Sequence, residues 1–180
     1  MKGILDKQFA NFGEWLYTRL VRLEIVLLPL AAIGYLLKKY SYEAGEVITT
    51  ISLVTLALAY FFSGFGRENE NSNWTNFYMK LVYLSLTVVV IGALSVLLQW
   101  PGFSVPLQFS LISAVLAILI GVIEVLFIKQ SKAFQKQEFI RLILSLFIVL
   151  SLTFLSGSVS KLEEHEHEFE SEKNIPEAQP

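Results

Sequence analysis

Four charged side chains interrupt or border the long uncharged stretches of this 180-residue chain: Glu24, Lys80, Glu124 and Arg141. Two acids and two bases so placed can pair between helices, or take up a proton or cation. His165 and His167 stand within Glu163-Glu164-His165-Glu166-His167-Glu168, a donor set that can hold a divalent metal loosely. A third pattern carries no charge. Thr49, Ser52, Thr55, Ala59 and Ser63 recur at three- and four-residue spacing, which predicts a shared helix face. Small and hydroxylated side chains allow helices to pack closely or, repeated around an oligomer, can line a narrow pore.

Other chemistry is excluded by what the sequence lacks. With no cysteine there is no disulfide, thiolate nucleophile or cysteine metal site. There is no Ser/His/Asp set, helix-borne metal motif or phosphate loop, and both histidines lie in the last twenty positions. Enzymatic activity and a cofactor are therefore not expected. Asn73-Trp74-Thr75 fits a glycosylation acceptor, but its expected cytoplasmic position close to the bilayer argues against its use. Lys129, Lys132, Lys136 and Arg141 suit anionic lipid headgroups, whereas no basic, aromatic-laced domain for nucleic acid is present.

The elements that must position these residues follow from length. The chain is 54% hydrophobic and 17% charged, with the apolar residues in blocks, and a helix needs roughly 20 of them to cross a hydrocarbon core of about 30 Å. Leu81 to Ile123 is uncharged for 43 residues, broken by Trp100-Pro101-Gly102 and Pro106, which predicts two helices joined by a tight turn. Val47 to Gly66 and Leu142 to Ser160 are uncharged for 20 and 19 residues. A weaker first span, through Glu24 and Pro29, completes a set at about 20–37, 47–66, 78–99, 105–128 and 139–158. Residues 1–19 read as an amphipathic helix in the membrane interface, from the helical spacing of Ile4, Leu5, Phe9, Phe12 and Leu16. The late start of the apolar segment and the lack of a small-residue cleavage site argue against a signal peptide.

The predicted fold is thus an all-α integral membrane protein: a bundle of five transmembrane helices over 20–160, four if the first does not span. Residues 161–180, with seven Glu and two Lys, read as a disordered acidic tail. Five spans put 10 Lys and Arg on one side and 4 on the other, against 8 and 6 if the first segment stays out. Basic residues favour the cytoplasmic side, so the expectation is a cytoplasmic N-terminus and an outside C-terminus in a bacterial inner (plasma) membrane. All four membrane-edge charges would then sit near cytoplasmic helix ends, as a ring of ion pairs.

Three functional expectations follow. The first is a non-enzymatic subunit that self-assembles or joins a larger membrane complex, including as a pore; a homo-oligomer or a partner membrane protein is implied. The second is a carrier of a small, largely apolar or neutral solute, with Pro29, Gly34, Gly92 and Gly121 loosening helices around a cavity. The third is a membrane effector or sensor whose acidic tail responds to metal or a cationic partner.

Overall fold

The computed structural model of the chain describes residues 2–66, 73–127, 140–151 and 153–154. Helix α1 runs over Lys2–Lys39, α2 over Glu43–Ser63, α3 over Asn73–Leu97 and α4 over Ser104–Phe127. A shorter apolar helix, α5, covers Ile140–Ser151. Four helices are long and apolar enough to cross a membrane, through Asn11–Lys39, Glu43–Ser63, Asn76–Leu97 and Ser104–Ile123. An all-α, multi-pass membrane architecture is consistent with this. The fifth expected span, 139–158, is represented by α5, and most of its remainder lies outside the described residues. So do Lys129, Lys132, Lys136 and the tail with His165 and His167.

The expected division between an interfacial helix at 1–19 and a span at 20–37 is not a structural one. Helix α1 is continuous across it. No glycine or proline stands at Arg19-Leu20, so nothing there interrupts the hydrogen-bond ladder. Pro29 lies inside the helix as well. Its ring removes one backbone donor, a loss that the remaining ladder of a long helix tolerates. At about 1.5 Å per residue α1 is about 57 Å long, nearly twice a hydrocarbon core of about 30 Å.

Two turns end their helices in the same way. Ser41 and Gln99 adopt left-handed backbone, with φ of 64° and 54°. Tyr42 N–H then donates to Leu37 O and Ser41 N–H to Lys38 O, while Trp100 N–H donates to Ser95 O and Gln99 N–H to Val96 O. This crossed pair of bonds satisfies the last helical carbonyls, which would otherwise lack partners. After Gln99, Trp100-Pro101-Gly102-Phe103 closes a tight turn with a Phe103 N–H to Trp100 O bond of 3.0 Å. Pro101 presets the first corner, and Gly102, at φ 77°, accepts the positive angle of the second. The predicted break between α3 and α4 is this turn.

Successive helices pack on one another: α1 on α2, α2 on α3 and α3 on α4. Between α1 and α2 the approach is closest at two glycine pairs. A Cβ added to Gly13 would lie 2.5 Å from Phe62 O and 2.6 Å from Gly66 N. At the other end, one added to Gly34 would lie 2.7 Å from Thr49 Oγ1, and one added to Gly45 would run into the Lys38 and Gly34 backbone. Gly13 and Gly34 are as far apart on one arm as Gly45 and Gly66 on the other, as an antiparallel pair requires. Gly92 likewise meets Ser110 of α4, where a Cβ would lie 2.6 Å from Oγ. Gly34, Gly92 and Gly121 therefore sit within unbroken helices, and the first two serve close contact rather than loosening.

Helix α3 is central, with half of its apolar window buried. Its Val82, Tyr83 and Leu86 meet Leu20 of α1, Leu56 of α2 and Leu142 of α5 in one core. Hydroxyls are buried with them: Thr49, Ser52, Ser85, Ser95 and Ser110. Large apolar side chains such as Ile25, Ile51, Phe109, Ile112 and Phe147 are exposed. Small polar groups inside and large apolar groups outside is the distribution that hydrocarbon, not water, stabilises.

Candidate functional site

The polar centre of the bundle joins residues from three helices. Arg141, in the first turn of α5, donates from Nε to Glu24 Oε1 at 2.9 Å and from Nη2 to Oε2 at 3.1 Å. This forked arrangement matches the guanidinium plane to the carboxylate. Tyr60, in the last turn of α2, donates its hydroxyl to Glu24 Oε1 at 2.8 Å. The Arg141 and Glu24 side chains keep 11% and 15% of their exposure, so the pair is largely withdrawn from surrounding medium. Such a pair persists only if its hydrogen bonds are made, because either charge alone would be strongly disfavoured.

Of the four charges expected to form a ring, the structure brings together Glu24 and Arg141. Lys80 lies with its Nζ 5.9 Å from the Phe65 ring centroid. Glu124 belongs to α4, but its side chain is outside the described set. Since α1 is continuous, Glu24 stands midway along its apolar window rather than near a helix end.

The predicted small-polar face of α2 divides. Thr49, Ser52, Ala59 and Ser63 are buried within the single chain, whereas Thr55 is exposed. The five residues drift round a helix of 3.6 residues per turn, and Thr55 falls beyond the contact. Thr49 Oγ1 donates to Gly45 O at 2.8 Å and Ser52 Oγ to Ile48 O at 2.7 Å. Ser63 Oγ is buried with no hydrogen-bond partner among the described residues. The stripe is thus occupied by packing inside the chain.

Tyr60 was not anticipated, and the carrier reading expected a cavity without placing it. A cavity of about 370 Å³ lies between α1, α2, α3 and α5. Leu28, Leu56, Leu86, Val90 and Ala93 supply apolar wall, and Glu24, Tyr60 and Arg141 also line it. It reaches along α1 from Glu24 to Tyr35 and along α3 from Leu86 to Leu97. Either distance is about 16 Å at about 1.5 Å per residue. Beyond Tyr35, Lys38 Nζ donates to Leu97 O at 3.3 Å and lies 3.8 Å from Glu46 Oε2, tying together the ends of α1, α2 and α3. A cation at the C-terminal end of α3 also meets the negative end of its dipole. The only sequence signal for Tyr60 is its spacing from Leu53 and Leu56, which puts a polar-tipped ring on the inner face of an apolar helix.

Among the described residues no cluster of three or more His, Cys, Asp or Glu could hold a metal. The chain matches no family model, no curated protein and no solved structure.

Proposed function

We propose that the chain is a non-enzymatic, multi-pass membrane protein that takes a small, largely apolar molecule into its helical bundle and carries it. The observation that supports this reading is the cavity of about 370 Å³ with apolar walls and a hydrogen-bonded ion pair at one end. Small-molecule sites are typically concave, about 300–1,000 Å³ and apolar, with a few polar groups that fix orientation. The other reading, a self-assembling or accessory subunit or a pore, drew in part on the hydroxyl stripe of α2, which is buried against the chain's own helices.

In this proposal α5 continues as a fifth span. The N-terminus is then cytoplasmic and the acidic C-terminus outside, following the 10 to 4 bias of basic residues. A reporter fused after Pro180 should be active only outside the cytoplasm, and cytoplasmic activity would refute that orientation.

Binding is tested with purified full-length protein in nanodiscs, screened by native mass spectrometry against a panel of apolar metabolites and lipids. The expected result is saturable binding that weakens at least about tenfold in Ala93→Leu, which fills the cavity while remaining apolar. No saturable binding across the panel, with the protein monodisperse and helical, would overturn the reading.

A further inference from the structure

We infer that the cavity seats one ester-linked acyl chain, with its neutral carbonyl oxygen accepting hydrogen bonds from Arg141 and its hydrocarbon lying between α1 and α3. This rests on the binding reading above and adds the chemical class of the ligand.

Shape comes first. The cavity's lining extends about 16 Å from the Glu24 end to the Tyr35 end by the helix rise. One leaflet of a hydrocarbon core about 30 Å thick has nearly that depth, so the length matches a single membrane acyl chain. The walls away from the ion pair are Leu, Val, Ala and Ile, apart from Tyr35 and Ser145, which suits methylene groups.

The polar end sets the headgroup. Glu24 already accepts three hydrogen bonds, two from Arg141 and one from Tyr60. Its acceptor capacity is therefore largely used, and a donor on the ligand gains little there. Arg141 has five N–H donors, and its contacts with Glu24 use Nε and Nη2. Arg141 lines the cavity with more donors than these two contacts use, so an acceptor is the ligand group it can bind. Charge narrows it further. Glu24 and Arg141 compensate each other, so an anionic headgroup would leave one net negative charge buried, and a cation would meet the guanidinium. A neutral carbonyl, as in an ester, meets both conditions.

Two sources share this chemistry: a free monoacyl ester, or an ester-linked chain of a bilayer phospholipid. The test uses the full chain in detergent micelles, with a long-chain monoacylglycerol, the alkylglycerol ether of equal length and the matching fatty acid well above its pKa. The monoacylglycerol should bind about tenfold more tightly than the ether, about 1.4 kcal/mol, and more tightly than the ionised acid. Arg141→Lys, which keeps the charge but not the fork, should erase the preference of ester over ether. Nanodiscs separate the sources. Ester-linked phospholipid competing where ether-linked phospholipid does not would identify the bilayer lipid, and competition by neither would identify the free ester.

Equal binding of ester and ether, or tighter binding of the ionised acid, would overturn the headgroup inference while leaving cavity binding intact. Because that comparison is made on the unaltered protein, it does not depend on any variant folding. Failure of all three compounds to bind, alongside saturable binding of a different class from the wider panel, would overturn this inference alone.

Discussion

Glu24 and Arg141 are 117 residues apart in the chain, yet their carboxylate and guanidinium meet in a fork at 2.9 and 3.1 Å. Helix α5 is thereby fastened to the middle of α1 by charge as well as by the burial of Leu142 and Val149. Removing one partner leaves the other charge buried and unpaired. Glu24→Ala or Arg141→Ala should each destabilise the bundle by about 3–5 kcal/mol, whereas Glu24→Leu with Arg141→Met should cost much less. Thermal unfolding in a single detergent, read by helical circular dichroism, makes the comparison. A double variant as unstable as the worse single one would count against a compensated pair.

Tyr60→Phe removes the third hydrogen bond to Glu24 and little volume. A bond to a charged acceptor contributes about 1.5–3 kcal/mol, so a loss in that range is expected in the same assay. In the Glu24→Leu, Arg141→Met background the same change should cost less, because the acceptor is gone. Equal cost in both backgrounds would assign Tyr60 to packing alone.

The glycines give a steric test. Gly13→Ala and Gly34→Ala place a methyl within 2.5–2.8 Å of α2 atoms, and should each cost about 1–3 kcal/mol by forcing the helices apart. Gly102→Ala meets no atom within 4 Å but keeps φ at 77°, so its cost is backbone strain, about 1–2 kcal/mol. Separation of α1 from α2, measured by spin labels at Ile25 and Leu58, should increase in the first two variants and stay unchanged in the third.

Ser63 is buried without a hydrogen-bond partner among the described residues, in contrast to Thr49, which donates to Gly45 O. Ser63→Ala should be neutral or stabilising by about 1 kcal/mol, because no bond is lost and an unsatisfied hydroxyl is removed. Thr49→Val should be destabilising by about 1 kcal/mol. If Ser63→Ala were the more damaging of the two, a bound water or ligand on that hydroxyl would be indicated.

The long helices were legible because hydrocarbon imposes a length, and an uncharged run of 43 residues interrupted by Trp100-Pro101-Gly102 has few other solutions. The turn was legible for a local reason, since proline and glycine fix its backbone angles. The continuity of α1 was not. Glu24 and Pro29 both lower the apparent quality of that segment, and what offsets the charge is an arginine in α5 and a tyrosine in α2. Pairings between distant segments leave no trace in a local window. The same limit hid the two glycine pairs, whose meaning appears only once the helices are laid antiparallel, and it put Thr55 on a face that the real helical repeat turns outward.

Lys38 reaches from the end of α1 to the Leu97 carbonyl at the end of α3, and Arg141 reaches Glu24 from a helix made much later. Synthesis runs from the N-terminus at about 5–20 residues per second, so α1 and α2 are complete for several seconds before Arg141 is joined to the chain. During that interval Glu24 has Tyr60 as its hydrogen-bond donor but no cation from α5. The hairpin closed by its glycine pairs must therefore shelter an acid awaiting its base, and a ribosome stalled just short of Arg141 would hold the protein at its most vulnerable stage.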